Sequence, residues 1–262
     1  MTEAKSSKPN HQAKENKNPV LEIRNLKISF NRKAVLSDTS LTLNEGENLV
    51  VLGKSGTGKS VLIKCIVGLL VPDSGTIKVF DKDMRSLNKK EFSEMRQKIG
   101  FLFQNGALYD SMTIKQNLEF PLVRLMKELS KKEREEKIIK ALENIGLPDV
   151  LNKMPSELSG GQRKRVSLAR TIIVDPLIML YDEPTTGLDP VTSDEISQLI
   201  NDIQKQLKTS SIIITHDLRC AQQTADRIMM LDEGVIHMEG TIEEFENSED
   251  PLVKSFFTAN II

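Results

Sequence analysis

The stretch Gly53-Lys54-Ser55-Gly56-Thr57-Gly58-Lys59-Ser60 restricts this chain more than any other. It has the form G-x-x-x-x-G-K-S, the phosphate-cradling P-loop. The apolar run 49–52 before it suits a buried strand, and Val61, Leu62, Cys65, Ile66 and Leu69 follow at helical spacing. Strand, glycine loop and helix are the setting the motif requires. Glycines let successive backbone N–H groups turn inward, and the helix points its positive end at the same spot. The loop from Gly53 through Lys54, Ser55, Gly56, Thr57 and Gly58, with Val61 behind it, is therefore expected to hold a polyanion. Lys59 adds a point charge for the outer phosphates, and Ser60 offers a hydroxyl to Mg²⁺. Gly-Lys-Ser occurs twice, at 53–55 and 58–60. Only the second copy has the upstream glycine and a helix behind it, so Lys59 is the phosphate lysine and the Lys54 side chain is expected in solvent. A P-loop alone does not separate a kinase, a GTPase, a motor and a transporter ATPase.

Composition narrows the setting. The 262 residues are 39% hydrophobic and 28% charged, ordinary globular material for one large domain or two small ones. A net charge of -1 argues against a general nucleic-acid binder. Cys65 and Cys220 have no metal-ligand spacing and fit a reduced, cytosolic setting. The longest apolar stretch, 61–71, is broken by Lys64 and is too short to span a bilayer. The N-terminus carries charge without an apolar signal region. Service to a membrane would run from the cytosolic side through a partner.

Residues 1–18 are rich in Lys, Asn and Ser and read as a disordered tail, with His11 solvated in it. The segment 20–30 alternates like a half-buried strand, 31–33 signals a turn, and 41–43 predicts a short strand. Pro72-Asp73-Ser74-Gly75 is a turn leading into a strand over 76–80. Helix is predicted near 89–97 and a buried strand over 100–103. The segment 113–147 has helical periodicity, with Ile138, Ile139, Leu142 and Ile145 as its apolar stripe and 131–137 as a solvated face. A buried helix covers 168–174, strands cover 178–181 and 212–215, and a helix lies between them. A hairpin follows at 227–237, with His237 on its surface. Strands alternating with helices argue for a mainly parallel α/β sheet, interrupted by a helical insertion at about 105–166.

A second motif decides the class. Leu158-Ser159-Gly160-Gly161-Gln162 precedes Arg163-Lys164-Arg165 and an apolar helix. Serine hydroxyl and glycine N–H groups at a helix start make another anion site. A chain that already cradles its phosphates gains from it by closing over a nucleotide held by a second copy. The pair of motifs, in this order, resembles the nucleotide-binding subunit of an ABC transporter. The other stations match: 178–182 with Glu183 resembles the Walker B strand and its catalytic glutamate. Gln104 stands at the Q-loop, Gly187-Leu188-Asp189 at the D-loop, His216 at the switch histidine, and Phe30 at the aromatic that stacks on adenine. The likeness runs over residues 20–240.

That resemblance implies a RecA-like P-loop core of the α/β class, with an N-terminal antiparallel β subdomain, an inserted helical subdomain and a short extension at 241–262. It implies ATP and Mg²⁺ as cofactors, the metal held by Ser60, Asp182 and Gln104. Glu183 would orient and deprotonate the attacking water, with Gln104, His216 and Lys59 at the γ-phosphate. Ser159, Gly160, Gly161 and Gln162, with Asp189, would complete the pocket of a head-to-tail dimer. The residues after Gln104, Asn105-Gly106-Ala107-Leu108-Tyr109, resemble the ATPases of Mce/Mla-type lipid transporters, as do Met154-Pro155-Ser156-Glu157 and the ending with Phe256-Phe257. The expected partners are an integral membrane permease and an Mce-domain lipid-binding protein, with the chain peripheral on the cytoplasmic face of the bacterial inner membrane. A polar amino-acid importer ATPase and a permease-free soluble ABC protein stand as alternatives.

Overall fold

The computed structural model describes residues 18–259. The predicted tail lies outside the described residues except for Asn18, whose carbonyl accepts from Glu45 N at 3.3 Å. The chain runs β1 (Pro19–Phe30), β2 (Lys33–Asn44), β3 (Asn48–Leu52), α1 (Lys59–Ile66), β4 (Ser74–Val79), β5 (Lys82–Asp83), α2 (Lys89–Gln97) and β6 (Ile99–Leu102). Then follow α3 (Ile114–Leu125), α4 (Lys131–Asn144), two 3₁₀ turns, α5 (Gly160–Ile172), β7 (Ile178–Asp182), α6 (Pro190–Leu207) and β8 (Ser210–Thr215). The last elements are α7 (Leu218–Thr224), β9 (Arg227–Asp232), β10 (Val235–Gly240), α8 (Ile242–Glu246) and α9 (Pro251–Ala259).

β3, β7 and β8 are buried at every residue. A strand without a wet face must be covered on both sides, which is the state of a parallel strand between layers. They sit inside a sheet of order β10-β9-β3-β8-β7-β6, parallel except for the β10 edge. Side chains alternate between two cores, as a pleat dictates. Leu49, Val51, Ile178, Leu180, Ile212 and Ile214 face Leu62, Ile66 and the antiparallel sheet. Val50, Leu52, Met179, Tyr181 and Ile213 face the helices, among them Leu118, Leu142, Val166 and Ile200. The antiparallel sheet has the order β2-β1-β4-β5.

The strand predicted at 41–43 is longer than expected. β2 begins directly after a tight turn at Asn31 and Arg32, both with positive φ (50° and 65°). Register shifts along β1 and β2 break the strict alternation, so the polar run 37–40 conceals a strand. The helical region between β6 and β7 begins at Ile114 and ends at Ile172.

A guanidinium bridges the two sheets, beside bonds from Ser37 N and Thr39 Oγ1 to Gly234 O. Arg227 on β9 donates to both Glu47 oxygens (2.6 and 2.9 Å), to Thr42 O on β2 (2.6 Å) and to Glu239 on β10 (2.6 Å). Burial pulls the Glu47 carboxyl upward, but the bonds and charge from Arg227, with the Asn44 donors, outweigh it and hold it below its usual value. Such a carboxylate adds stability above the ordinary carboxylate range and loses it as pH falls through its lowered pKa. Replacing Arg227 by Met leaves Glu47 buried with its Asn44 donors but without a counter-charge, an expected loss of about 2–4 kcal/mol at neutral pH. Urea denaturation should show that loss shrinking on acidification; a gap that ignores pH would rule out the charge pair as its source.

Candidate nucleotide site

The parallel strands end at one edge of the sheet, where ligands sit in open α/β folds. β3 delivers the glycine loop, β6 delivers Gln104, β7 delivers Asp182 and Glu183, and β8 delivers His216. The resulting cavity is about 230 Å³ and is lined by Ser55, Gly56, Gly58, Lys59, Ser60 and Val61 of the loop, with Gln104, Glu183, His216 and Val35 across from them. Gly58 permits this closeness. Its φ is +105°, and a Cβ there would lie 2.9 Å from Val35 O and 2.9 Å from Leu36 Cδ2. A larger surface cleft, about 600 Å³ beside Arg165 and Glu195, contains none of the glycine loop.

Lys59 is buried, and its ammonium donates to Gly53 O (2.6 Å) and Lys54 O (3.0 Å). The Lys54 side chain is exposed. Thr57 donates to Lys54 O at 3.0 Å, which tightens the loop. Burial lowers the Lys59 pKa, opposed by the charges of Glu183 and Asp182. The Ser60 hydroxyl donates to Asp182 Oδ1 at 2.8 Å. Burial raises the Asp182 carboxyl, with the Ser60 bond opposing it. Two hard oxygens this close, on a buried carboxylate, fit Mg²⁺, which takes one or two protein oxygens and fills the rest of its shell from phosphate and water.

Glu183 is held from several sides. Its N–H donates to Ile214 O at 2.9 Å, continuing the β7–β8 ladder past the end of the strand. Its φ is +51°, uncommon for a residue of this bulk, and the turn directs the carboxylate into the cavity. Oε2 lies 2.8 Å from His216 Nδ1 and accepts from Thr186 Oγ1 at 3.1 Å, while Oε1 lies 3.6 Å from Lys59 Nζ.

Other expected residues stand apart from this cavity. Ser159, Gly160, Gly161 and Gln162 form the start of α5 and do not line the cradle of their own chain. Ser159 Oγ accepts from Gln162 N (3.2 Å) and Gln162 Oε1 from Ser159 N (3.0 Å), a reciprocal cap. Asp189 spends its carboxylate on the cap of α6, accepting from Val191 N, Thr192 N and Thr192 Oγ1. Phe30 is 42% exposed at the tip of β1 and lies outside the lining.

Three residues beside the site had no sequence signal of their own. Val35 reaches it only because the β1–β2 hairpin folds over the glycine loop. Thr186 lies on an ordinary turn. Lys164 sits between two arginines, yet it is 6% exposed, with Nζ 2.7 Å from Gln104 O and 3.4 Å from Glu183 O. Burial lowers its pKa to about 8, against the pull of Asp182 and Glu183.

Fold and cradle together define a P-loop nucleoside-triphosphate hydrolase. The model of the family described as ABC transporter matches residues 36–186. The probable ribonucleotide transport ATP-binding protein mkl of Mycobacterium bovis is 40% identical over 244 residues, 92% of this chain and 67% of that protein. The methionine import ATP-binding protein MetN of Brucella abortus is 36% identical over 90% of this chain and 64% of its own length. Among solved structures, the ATP-binding cassette MJ0796, a dimer in a post-hydrolysis state bound to ADP and Pi, has a TM-score of 0.77 at 30% identity. It covers 85% of this chain and 98% of its own. CbiO1 of Clostridium perfringens, part of the transporter complex cbiONQ, has a TM-score of 0.80 at 28% identity, covering 93% and 99%. The chain belongs to the ABC transporter family, as an ATP-binding, ATP-hydrolysing cassette.

Gly161 offers a test of the local geometry. A Cβ there would lie 2.5 Å from Thr192 Cγ2, a stiff branched position. Gly161→Ala should cost about 1–3 kcal/mol in thermal or chemical unfolding. Adding Thr192→Ser, which removes the methyl and keeps the hydroxyl for Asp189, should restore most of it. Equal losses in the single and double variants would refute the contact.

Proposed function

We propose that the chain drives phospholipid-class lipid transport across the bacterial envelope. It would work as a head-to-tail dimer on a separate membrane permease, with an Mce-domain lipid-binding protein in the same complex. The observation that supports the catalytic roles is the Glu183 carboxylate at the mouth of the cradle, 2.8 Å from His216 Nδ1. Ser60 and Asp182, with Gln104, would hold Mg²⁺, which when bound supplies positive charge to the outer phosphate oxygens. Lys59 exchanges its carbonyl partners for those oxygens. Glu183 orients the water and takes its proton, while His216 and Thr186 keep the carboxylate aimed. Phe30 offers a ring face to the adenine. Ser159 and Gly161 reach the γ-phosphate from the second copy, with Gly160, Gln162 and Asp189 shaping that approach.

The lipid reading rests on the segment after Gln104. There Gly106 and Ala107 both have positive φ (78° and 54°), and Ala107 O accepts from Arg170. The Arg170 guanidinium lies over the Tyr109 ring at 4.6 Å. Asn117 fixes Tyr109 through its N–H (2.8 Å) and its carbonyl (3.1 Å). The segment walls an aromatic groove of about 410 Å³ that includes Phe103, Pro121 and Leu125, suited to a permease helix. Among the described residues no helix is long and apolar enough to cross a membrane, so a spanning partner would supply the path, with this chain on its cytoplasmic face. A second reading, amino-acid import, is favoured by the likeness to the methionine import protein.

Glu183→Gln should lower turnover by about 10²–10⁴ or more, because the amide cannot accept the proton. The same variant should accumulate an ATP-bound dimer, seen by size exclusion with Mg-ATP; normal hydrolysis would remove Glu183 from the role. Affinity purification from detergent-solubilised membranes tests the transport reading. A multispanning permease with an Mce-domain protein is the expected catch. A periplasmic amino-acid-binding protein would shift the assignment to import, and the lack of any membrane partner would end both.

A further inference from the structure

Lys164 occupies a position where charge is costly. Val166, Ser167, Leu168 and Ala169, which follow it on α5, are all buried, and the lysine is buried with them. A methionine of similar length would fill the same space without desolvating an ammonium. What the ammonium gains is specific. One nitrogen donates to Gln104 O at 2.7 Å and, more weakly, to Glu183 O at 3.4 Å, within the field of the Asp182 and Glu183 carboxylates. Both acceptors are main-chain atoms of residues that line the cradle. Lys164 therefore ties three separate pieces together: the helix that begins with Ser159, the loop after β6 and the end of β7.

The Glu183 link carries particular weight. A residue at φ +51° persists only where its surroundings hold it there. Its N–H is fixed by Ile214 O, and its carbonyl is shared between Lys164 Nζ and Thr186 N, each at 3.4 Å, of which only Lys164 comes from another element. The Gln104 carbonyl precedes the Gly106–Ala107 bend, so a shift of that segment moves the same nitrogen. We propose that Lys164 is a positioning residue for hydrolysis, a buried pin that sets the Glu183 main chain and links it to the Gln104 loop through two carbonyl oxygens. The inference rests on Glu183 acting as the base.

The test is steady-state ATP hydrolysis by the full chain carrying Lys164→Met or Lys164→Gln. Loss of the pin misplaces the base while the glycine loop and Lys59 keep their own contacts. The methionine variant should therefore lose about 10–100-fold in kcat while KM for ATP stays within about 2-fold. Glutamine keeps an N–H donor without charge, so it should return kcat to within about 3-fold of the parent chain. Amide exchange on the methionine variant should show protection falling together at 103–107 and 183–187. Lys164→Leu, apolar and a good helix former, gives the same comparison if the methionine variant melts early. The pin is overturned if a folded apolar variant keeps its kcat, if the loss falls in KM, if glutamine does no better than methionine, or if only one segment loses protection. Failure of the hydrolysis reading shows separately, as a parent chain with no turnover, and it removes the pin as well.

Discussion

Two lysines and two carboxylates are buried together at the carboxyl end of the central sheet. Lys59, Lys164, Asp182 and Glu183 are each less than 9% exposed, a state ionised groups reach only when they compensate one another. Their arrangement is not one of simple pairs. Lys59 bonds main-chain oxygens of its own loop, and Lys164 bonds those of two neighbouring segments. Asp182 is bonded by a hydroxyl and Glu183 by a histidine and a threonine. Lys59 and Glu183 make one loose ion pair at 3.6 Å, and the charges otherwise sit close without tight pairing, which suits a site that must accept a polyanion. Phosphates entering the cradle bring negative charge to a loop whose amides and lysine already face that way.

The sheet explains why these groups meet. Strands buried on both faces have no freedom to place polar side chains along their length, so chemistry collects where they end. That logic was legible in the sequence. The runs 49–52, 178–181 and 212–215 are β-branched, aliphatic or aromatic, each stops where the glycine loop, a carboxylate or a histidine begins, and each is a parallel strand. The motif residues Lys59, Ser60, Asp182 and Glu183 were legible for the same reason: local spacing fixes which end of which strand they occupy. The start of α5 was also legible, because Ser159-Gly160-Gly161-Gln162 reads as a helix start ahead of an apolar helix.

What escaped the sequence depends on contacts between distant segments. Val35 lies far upstream of the loop it covers, and bulges along β1 and β2 scramble the pattern that would have marked its strand. Asp189 is expected at the dimer pocket through its resemblance to the D-loop, and within its own chain, one residue before Pro190, it also caps α6. Lys164 is the sharpest case. Arg163 and Arg165 beside it are less buried, and nothing in a basic triplet marks the middle member as the one that turns inward. Only the helical phase of α5 against β6 and β7 decides it.

The start of α5 then links the interior of the cassette to its exterior. Its first residues are a reciprocal cap in which Ser159 Oγ accepts from Gln162 N and, among the described residues, does not donate. Its second turn carries Lys164, which is tied to the Gln104 loop and to Glu183 of the same chain. A phosphate presented by a second copy would meet the outer end of a helix whose inner side holds the first copy's own catalytic strand. Closure at one site would then be felt at the other through one rigid element, with no need for a long relay of side chains. The segment Gly106–Ala107, bent against Ser167 about one turn further along, rests on that same helix. One helix therefore contacts the proposed dimer face, the end of β7 with its proposed base and the proposed permease groove, a basis for coupling transport to hydrolysis in a chain that does not itself have to touch the cargo.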